Sequence, residues 1–423
     1  MAIIKLQMEK KQKQILWTLV ALGILYFALF WFPNASTQGS DNPIVYLDRD
    51  EYVTYPIVER MLAFEGDIHN IWGSLIVYGD YHYGYPFYFF SMLVLLPLRL
   101  IQGSAFFEHI PTNILLLRQF INVLPMILSA GFLAYIHSHF KSWWKSLFIF
   151  ALILTIPAVV RNNLHWWHPD ALMLLFIVLT FFFLERDNFR LGGHFYLAAA
   201  ACGMAVAIKL MGFFFFLAIP LYLFLAWQKS HLTMKKMAAA AALFIVVMAV
   251  VIILSNPFLF YQAPRQEMLA IQSFKTEELS GGYTHDNSPD YAKGPQYWRW
   301  TLKISYGRPQ MMLVFAGLLL AGCAFGQRRA LNALIAAWSL PLAIYLLWFV
   351  APKPDHYLLP LLIPLFSAGF DLFDPLLALW KRGKTWQRGL AVLAIALIAY
   401  LLLSQFNYQI PKSLSQLAAY YSA

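Results

Sequence analysis

Three acids and one base crowd into YLDRDEY, residues 46–52, in a chain with only 12% charged residues. Asp48, Asp50 and Glu51 are carboxylates, and a carboxylate can take a proton from a hydroxyl as a general base. A second group lies in RNNLHWWHPDALML (161–174), where His165, His168 and Pro169 precede Asp170. Cations follow in apolar surroundings: Arg118 in NILLLRQFIN, Lys209 in AVAIKLMG, and Lys353 with His356 in APKPDHYLLP. Fixed cations in a dry site strongly stabilise developing negative charge, such as that on a leaving phosphate. Acids and cations together suit group transfer from a phosphate-bearing lipid to a hydroxyl. Each group also has a plainer explanation. Acids at a helix start complement its dipole, Pro beside an acid is ordinary helix-start grammar, and single terminal cations snorkel to a membrane interface.

Membrane-spanning helices must carry these side chains. With 60% hydrophobic and 17% aromatic residues over 423 positions, the chain has too little polar surface for a water-soluble fold. Its apolar runs reach the roughly 20 residues that cross hydrocarbon as a helix, and they do not alternate as barrel strands do. The net charge of +10 reflects basic short loops under the positive-inside bias, not nucleic-acid binding. Cys202 and Cys323 both sit in apolar runs, which leaves no disulfide framework and no cysteine metal knuckle. The opening MAIIKLQMEKKQKQ and the run after it lack a small-residue cleavage site and read as a retained first span.

Eleven spans are predicted, over 15–32, 113–136, 146–160, 170–184, 195–211, 213–227, 237–256, 310–326, 331–350, 357–373 and 389–404. Segment 86–102 is also apolar but contains Pro97 and Arg99. If it crossed, the loops holding Lys141, Arg186, Lys235, Arg328 and Arg388 would lie opposite the basic N-terminus. If it does not, they share its side, as the positive-inside bias requires. The segment is therefore assigned to the outer interface. The chain is then one integral membrane domain, 1–423, with its N-terminus inside, its C-terminus outside and two large outer loops, 33–112 and 257–309. All the residues singled out above fall at the outer face.

In the first loop Val53, Ile57, Met61 and Phe64 recur at helical spacing after Asp50. That predicts an amphipathic helix lying on the membrane, with the acids at its N-terminal end. In the second loop SGGYTHDNSPDYAKGPQYWRW mixes glycines, acids and aromatics. It suits a lid or an acceptor surface, or equally a solvated loop with Trp298 and Trp300 at the interface.

At these residues the chain resembles the GT-C glycosyltransferases, which include protein O-mannosyltransferases and aminoarabinose transferases of lipid A. DEYVTYPIVERMLAFEGD (50–67) is similar to the family's first outer loop, an acidic pair within a pattern like DE…Y…ML..GD. YHYGYPFYFF (81–90) keeps one proline of a Tyr/His-Pro-Pro element, with Phe87 in place of the second. Arg118 at the outer end of the second span comes next. HPDALML, CGMAVAIKLMG, NPFLFY and KPDHYLLPLLIPL follow in the family's order, so the resemblance runs from about residue 15 to 370 through short motifs.

The resemblance implies an all-α polytopic membrane protein, GT-C-like, with about eleven transmembrane helices and juxtamembrane helices in the first outer loop. It implies transfer of a hexose or pentose from a polyprenyl-phosphate donor, undecaprenyl or dolichyl, to a hydroxyl on the extracytoplasmic or lumenal side, usually with inversion. The membrane would be that of a bacterial or archaeal cell, or of the ER, and the acceptor a glycan, lipid or protein. Carried over residue by residue, Asp50 is the base, Glu51 its partner and Asp170 a second-loop acid. Arg118 and Lys209 bind the donor phosphate, with Lys353 and His356 assisting. Asp48, Tyr85 and His168 line the acceptor side, and Asp48 could take the place of Asp50 by register. Asp50, Glu51, Asp170 and His168 also offer oxygen and nitrogen ligands to a divalent cation such as Mg or Mn. With protein cations already present, no metal is expected to be obligatory. The alternative is a flippase or transporter of lipid-linked sugars. Transporters put ionisable residues near the bilayer midplane on paired broken helices, a pattern the sequence lacks.

Overall fold

The computed structural model describes residues 9–35, 47, 49–164, 166–230, 232–282 and 291–421. Asp48 and His165 lie outside the described residues, as does 283–290 of the second outer loop. Among the described residues the fold is all-α. The helices run α1 (Lys10–Ala35), α2 (Arg49–Ala63), α3 (Ile68–Ile76), α4 (Tyr85–Gln102), α5 (Ile110–Leu117), α6 (Leu124–Ser138) and α7 (Trp143–Leu154). They continue as α8 (Pro157–Asn162), α9 (Asp170–Asp187), α10 (Gly193–Ile208), α11 (Ala218–Ser230), α12 (Met234–Leu254) and α13 (Gln262–Gly281). The last are α14 (Arg299–Ser305), α15 (Pro309–Phe325), α16 (Arg329–Trp348), α17 (Leu359–Ala368), α18 (Phe373–Arg382) and α19 (Thr385–Tyr421).

By length and apolar character, eight described helices can cross a bilayer, or nine if Pro295–Ser305 and Pro309–Phe325, bent by 96°, count as one span. That measure does not reach the predicted eleven. α7 and α10 are apolar but shorter, and α9 carries Asp170 at one end and Glu185, Arg186 and Asp187 at the other.

Tyr85–Glu108, which contains the segment assigned to the outer interface, is one of these eight, and both of its ends are tied to α2. Near its start Ser91 accepts a hydrogen bond from Trp167 Nε1 (3.0 Å), and the Trp167 backbone N–H donates to Glu51 in the first turn of α2 (2.7 Å). Near its end Arg99 donates to the Leu62 and Ala63 carbonyls at 2.9 and 3.3 Å, capping the last turn of α2 as cations do. α4 therefore lies alongside α2.

α2 is amphipathic, and the expected stripe is buried at Ile57 and Met61, half-buried at Phe64 and 53% exposed at Val53. Glu51, Thr54, Tyr55, Val58 and Leu62 are buried beside Ile57 and Met61, which widens the buried face. Arg118 holds the Glu51 carboxylate inside the protein. Between α5 and α6 the chain widens into a π turn, Arg118–Val123, just before Pro125. Pro125 offers no N–H to the helix ladder, and the wider turn keeps Arg118, Gln119 and Asn122 facing inward. Turns of this kind often accompany functional sites.

α17 is buried at every position and forms the centre of the bundle, where Trp338 Nε1 of α16 donates to the Pro360 carbonyl at 3.0 Å. α19 is far longer than the predicted 389–404, at 37 residues. A buried polar stripe explains why hydropathy stopped short. Gln405, Gln409 and Ser413, four residues apart, donate to the Tyr306, Leu152 and Thr155 carbonyls at 2.6, 3.0 and 2.8 Å. At the far ends of α6, α9 and α17 a second polar knot fastens the bundle. There His137 meets Asp371 (3.1 Å) and Ser367 (2.9 Å), and Arg328 meets Glu185 (3.0 Å).

Candidate active site

The first turn of α2 carries two neighbouring carboxylates with different surroundings. Glu51 is fully buried and takes two bonds from Arg118, Nε to Oε1 at 2.8 Å and Nη2 to Oε2 at 2.6 Å. Asp50 keeps 43% of its side chain exposed, with Oδ2 3.7 Å from His168 Nε2. One acid anchors the turn and the other faces the cleft.

Residues 166–170 supply the opposite wall. Asn122 of the π turn accepts the His168 backbone N–H at 3.1 Å, fixing the segment before α9 begins. The His168 ring stacks on Trp166, with centroids 4.3 Å apart. Its Nε2 shares a hydrogen bond with the Tyr83 hydroxyl at 2.7 Å. Burial lowers the pKa of His168 and raises that of Tyr83 well above its ordinary value. Both are therefore neutral at pH 7. Asp170 is fully buried at the first position of α9 and accepts from Lys209 Nζ at 2.7 Å. Its Oδ2 is in contact with His168 Nδ1 and lies 3.9 Å from His356 Nε2.

Lys209 reaches this point because it leaves the helix. α10 ends at Ile208, and Lys209 is extended (φ −155°, ψ 135°) before the next turn begins. Gly84 packs directly on that break and donates its N–H to the Ile208 carbonyl at 3.1 Å. A Cβ at Gly84 would stand 1.6 Å from the Ala207 carbonyl oxygen, so no larger residue fits without moving the backbone. This contact sets the loop carrying Tyr83 against the helix break carrying Lys209.

α13 closes one side of the cleft. Lys275 lies over the Tyr83 ring, 4.7 Å from its centroid, and donates to the His82 carbonyl. Burial, followed by Lys209, brings its pKa down to about 8, opposed by Asp80, Asp50 and Glu278. Tyr83, Asn122 and Lys275 were not singled out in the sequence. Tyr83 sits inside YHYGYPFYFF, but no spacing rule links it to residue 168.

The structure thus gathers Asp50, His168, Asp170, Lys209 and His356 in one cluster and pairs Glu51 with Arg118 beside it. Lys353 is turned aside. Its Nζ folds back onto the Val350 (3.1 Å) and Ala351 carbonyls, over the Trp298 ring. Burial and Lys293 lower its pKa to about 8. Tyr85 contributes its backbone N–H to Asn256 Oδ1 (3.0 Å), while its ring stacks on Phe89. Of the four residues considered for a metal, Glu51 is spent on Arg118. The group that could hold an ion is His168, Asp170 and His356, whose ligand atoms lie within 4.8 Å of one another. His168 Nδ1 and Asp170 Oδ2 are in direct contact. Two imidazoles and a carboxylate are a donor set that divalent metals accept, so these residues fit an ion.

No protein-family model matches the chain, and no curated protein matches its sequence. Solved structures do match. ArnT from Cupriavidus metallidurans in the apo state aligns at TM-score 0.54 and 14% identity over 95% of this chain and 76% of its own. The same protein bound to undecaprenyl phosphate aligns at TM-score 0.55 and 15% identity with the same coverage. The oligosaccharyltransferase AglB from Archaeoglobus fulgidus, in complex with an inhibitory peptide and a dolichol-phosphate, aligns at TM-score 0.56 and 13% identity over 94% of this chain. The chain spans 56% of AglB. Both are GT-C membrane glycosyltransferases, and this chain has their fold.

Proposed function

We propose that the protein moves a sugar from a polyprenyl-phosphate donor to an acceptor hydroxyl, at the outer face of the membrane, with Asp50 as the general base. The observation that carries this reading is the contrast in the first turn of α2. Glu51 is locked away on Arg118, while Asp50 stands open beside His168 and the Asp170–Lys209 pair.

In the proposed step the acceptor oxygen bonds to the anomeric carbon as the bond from that carbon to the phosphate oxygen breaks. The proton passes to Asp50, and the electron pair leaves on the polyprenyl phosphate. One in-line displacement inverts the carbon and needs no covalent intermediate. Lys209, with Asp170 balancing part of its charge, and Lys275 across the cleft stabilise the departing phosphate. His168, neutral and hydrogen-bonded to Tyr83, orients the acceptor beside Asp50. Arg118 acts through Glu51, holding the turn that presents Asp50. A divalent cation on His168, Asp170 and His356 would supply Lewis acidity toward a phosphate oxygen.

The GT-C fold, the undecaprenyl phosphate bound to ArnT and the dolichol-phosphate bound to AglB support the donor class. The positive-inside distribution of loop charge supports the outer face. The test is a panel of labelled polyprenyl-phosphate sugars offered to the purified protein in proteoliposomes with candidate acceptors. Glycosylated product from one donor is expected. Lipid-linked sugar crossing the bilayer without any product would replace the enzyme by a transporter. A cysteine at the exposed Ser104 should react with an impermeant reagent from outside, and reaction only from inside would overturn the sidedness.

A further inference from the structure

We propose that a groove beside α14 holds the anionic phosphate headgroup of a membrane lipid, at a site separate from the catalytic cleft. α14 and its flanks have two faces with different duties. On one, Trp298 Nε1 donates to the Leu346 carbonyl (3.0 Å) and Thr301 Oγ1 to the Lys353 carbonyl (2.9 Å). Ser305 Oγ donates to Asp355 Oδ2 (2.9 Å), and the Tyr306 hydroxyl to the Asp355 carbonyl (2.7 Å). These bonds lock the helix onto the turn that precedes His356.

The other face is cationic. Arg299 and Lys303, one helical turn apart, join Arg308 along a groove of about 470 Å³ that Tyr297, Trp300 and Tyr408 also line. Lys412 stands at its edge, donating to the Lys303 carbonyl and the Tyr408 hydroxyl, each at 2.8 Å. Among the described residues no acidic side chain lines the groove, and neither Arg299 nor Arg308 has an ion-pair partner. Asp355, on the opposite face of the helix, is engaged by Ser305 and lies 3.5 Å from Arg161. Three cations lining one groove, with no acid among the described residues that line it, repel each other, and an anion relieves that repulsion.

The position selects the kind of anion. The groove lies at the 96° bend where α14 gives way to the apolar α15. Trp300 is 66% exposed and Tyr297 43% exposed there. Exposed Trp and Tyr beside the end of an apolar helix mark the headgroup level of a bilayer. Guanidinium forks match phosphate oxygens in two-point contacts. A lipid phosphate meets both features, whereas a soluble phosphate meets only the cations.

The test is native mass spectrometry of the full-length protein in detergent, titrated with phosphatidylglycerol, with phosphatidylcholine and with inorganic phosphate. The wild type should retain phosphatidylglycerol over phosphatidylcholine by about fivefold or more, the scale of one cation at an anionic surface. The Arg299→Gln/Arg308→Gln double variant should lose that preference, and Arg299→Lys/Arg308→Lys should keep most of it. Equal retention by the wild type and the Gln variant would overturn the site. Displacement of the lipid by millimolar inorganic phosphate would overturn the lipid assignment in favour of a soluble phosphate ligand. Neither result bears on sugar transfer at Asp50.

Discussion

Arg118 and Glu51 meet in a two-point ion pair, at 2.8 and 2.6 Å, with both side chains closed off from solvent. They come from different elements, 67 residues apart. The pair fixes the first turn of α2 from inside the protein, and that turn presents Asp50 to the cleft.

Removing one partner of a buried pair leaves an uncompensated charge and typically costs about 3–5 kcal/mol. Arg118→Ala should therefore melt at a clearly lower temperature in detergent, read by tryptophan fluorescence. The paired change Glu51→Met with Arg118→Met should recover much of the loss. An Arg118→Ala protein that melts with the wild type would remove the anchoring role.

Tyr83→Phe deletes the hydroxyl that shares a bond with His168 Nε2 at 2.7 Å. A hydrogen bond of this kind contributes about 0.5–1.5 kcal/mol, so turnover should fall by up to roughly tenfold while the fold persists. Steady-state transfer assays and a melting curve check this together. An unchanged rate would take Tyr83 out of the site.

Gly84→Ala forces a methyl group toward the Ala207 carbonyl. Overpacking of this kind costs about 1–3 kcal/mol, and here it separates Tyr83 from Lys209. Transfer should fall and the melting temperature should drop. Gly73, where an added Cβ meets nothing, is the matched control. Gly84→Ala behaving as Gly73→Ala does would contradict the close packing.

The charge on Lys275 sets a pH dependence. Its pKa is lowered to about 8 from 10.5, so the amine is a cation at pH 7 and loses its charge as pH rises through 8. The surrounding charges are Lys209, Asp80, Asp50 and Glu278. Retention of undecaprenyl phosphate should therefore weaken between pH 7 and 9. Lys275→Arg, which stays charged throughout, should flatten that decline. A decline of the same size in the arginine variant would assign it to another group.

The membrane class and the residue types of the candidate site are legible in the sequence, because both depend on composition and local spacing. Asp50, Asp170, Lys209 and His356 were visible as charges in apolar surroundings, and the structure brings them within reach of one another. What stayed hidden depends on tertiary pairing. Nothing in DEYVTYP says that Glu51 turns inward and Asp50 outward; Arg118 decides it. Lys353 looked equivalent to Lys209, yet it bonds to nearby carbonyls. Lys275 sits on a charged helix whose role emerges only from its contact with Tyr83. The C-terminal helix outran its predicted end because Gln405, Gln409 and Ser413 are polar, buried and satisfied.

The most direct measurement compares wild type and Asp50→Asn, as purified proteins, for sugar transfer from the active polyprenyl-phosphate donor and for retention of undecaprenyl phosphate. Loss of a general base costs about 10²–10⁴-fold in rate. The account predicts a loss of that size in transfer, with retention of the lipid phosphate and the melting temperature unchanged. Transfer by Asp50→Asn at the wild-type rate would contradict it.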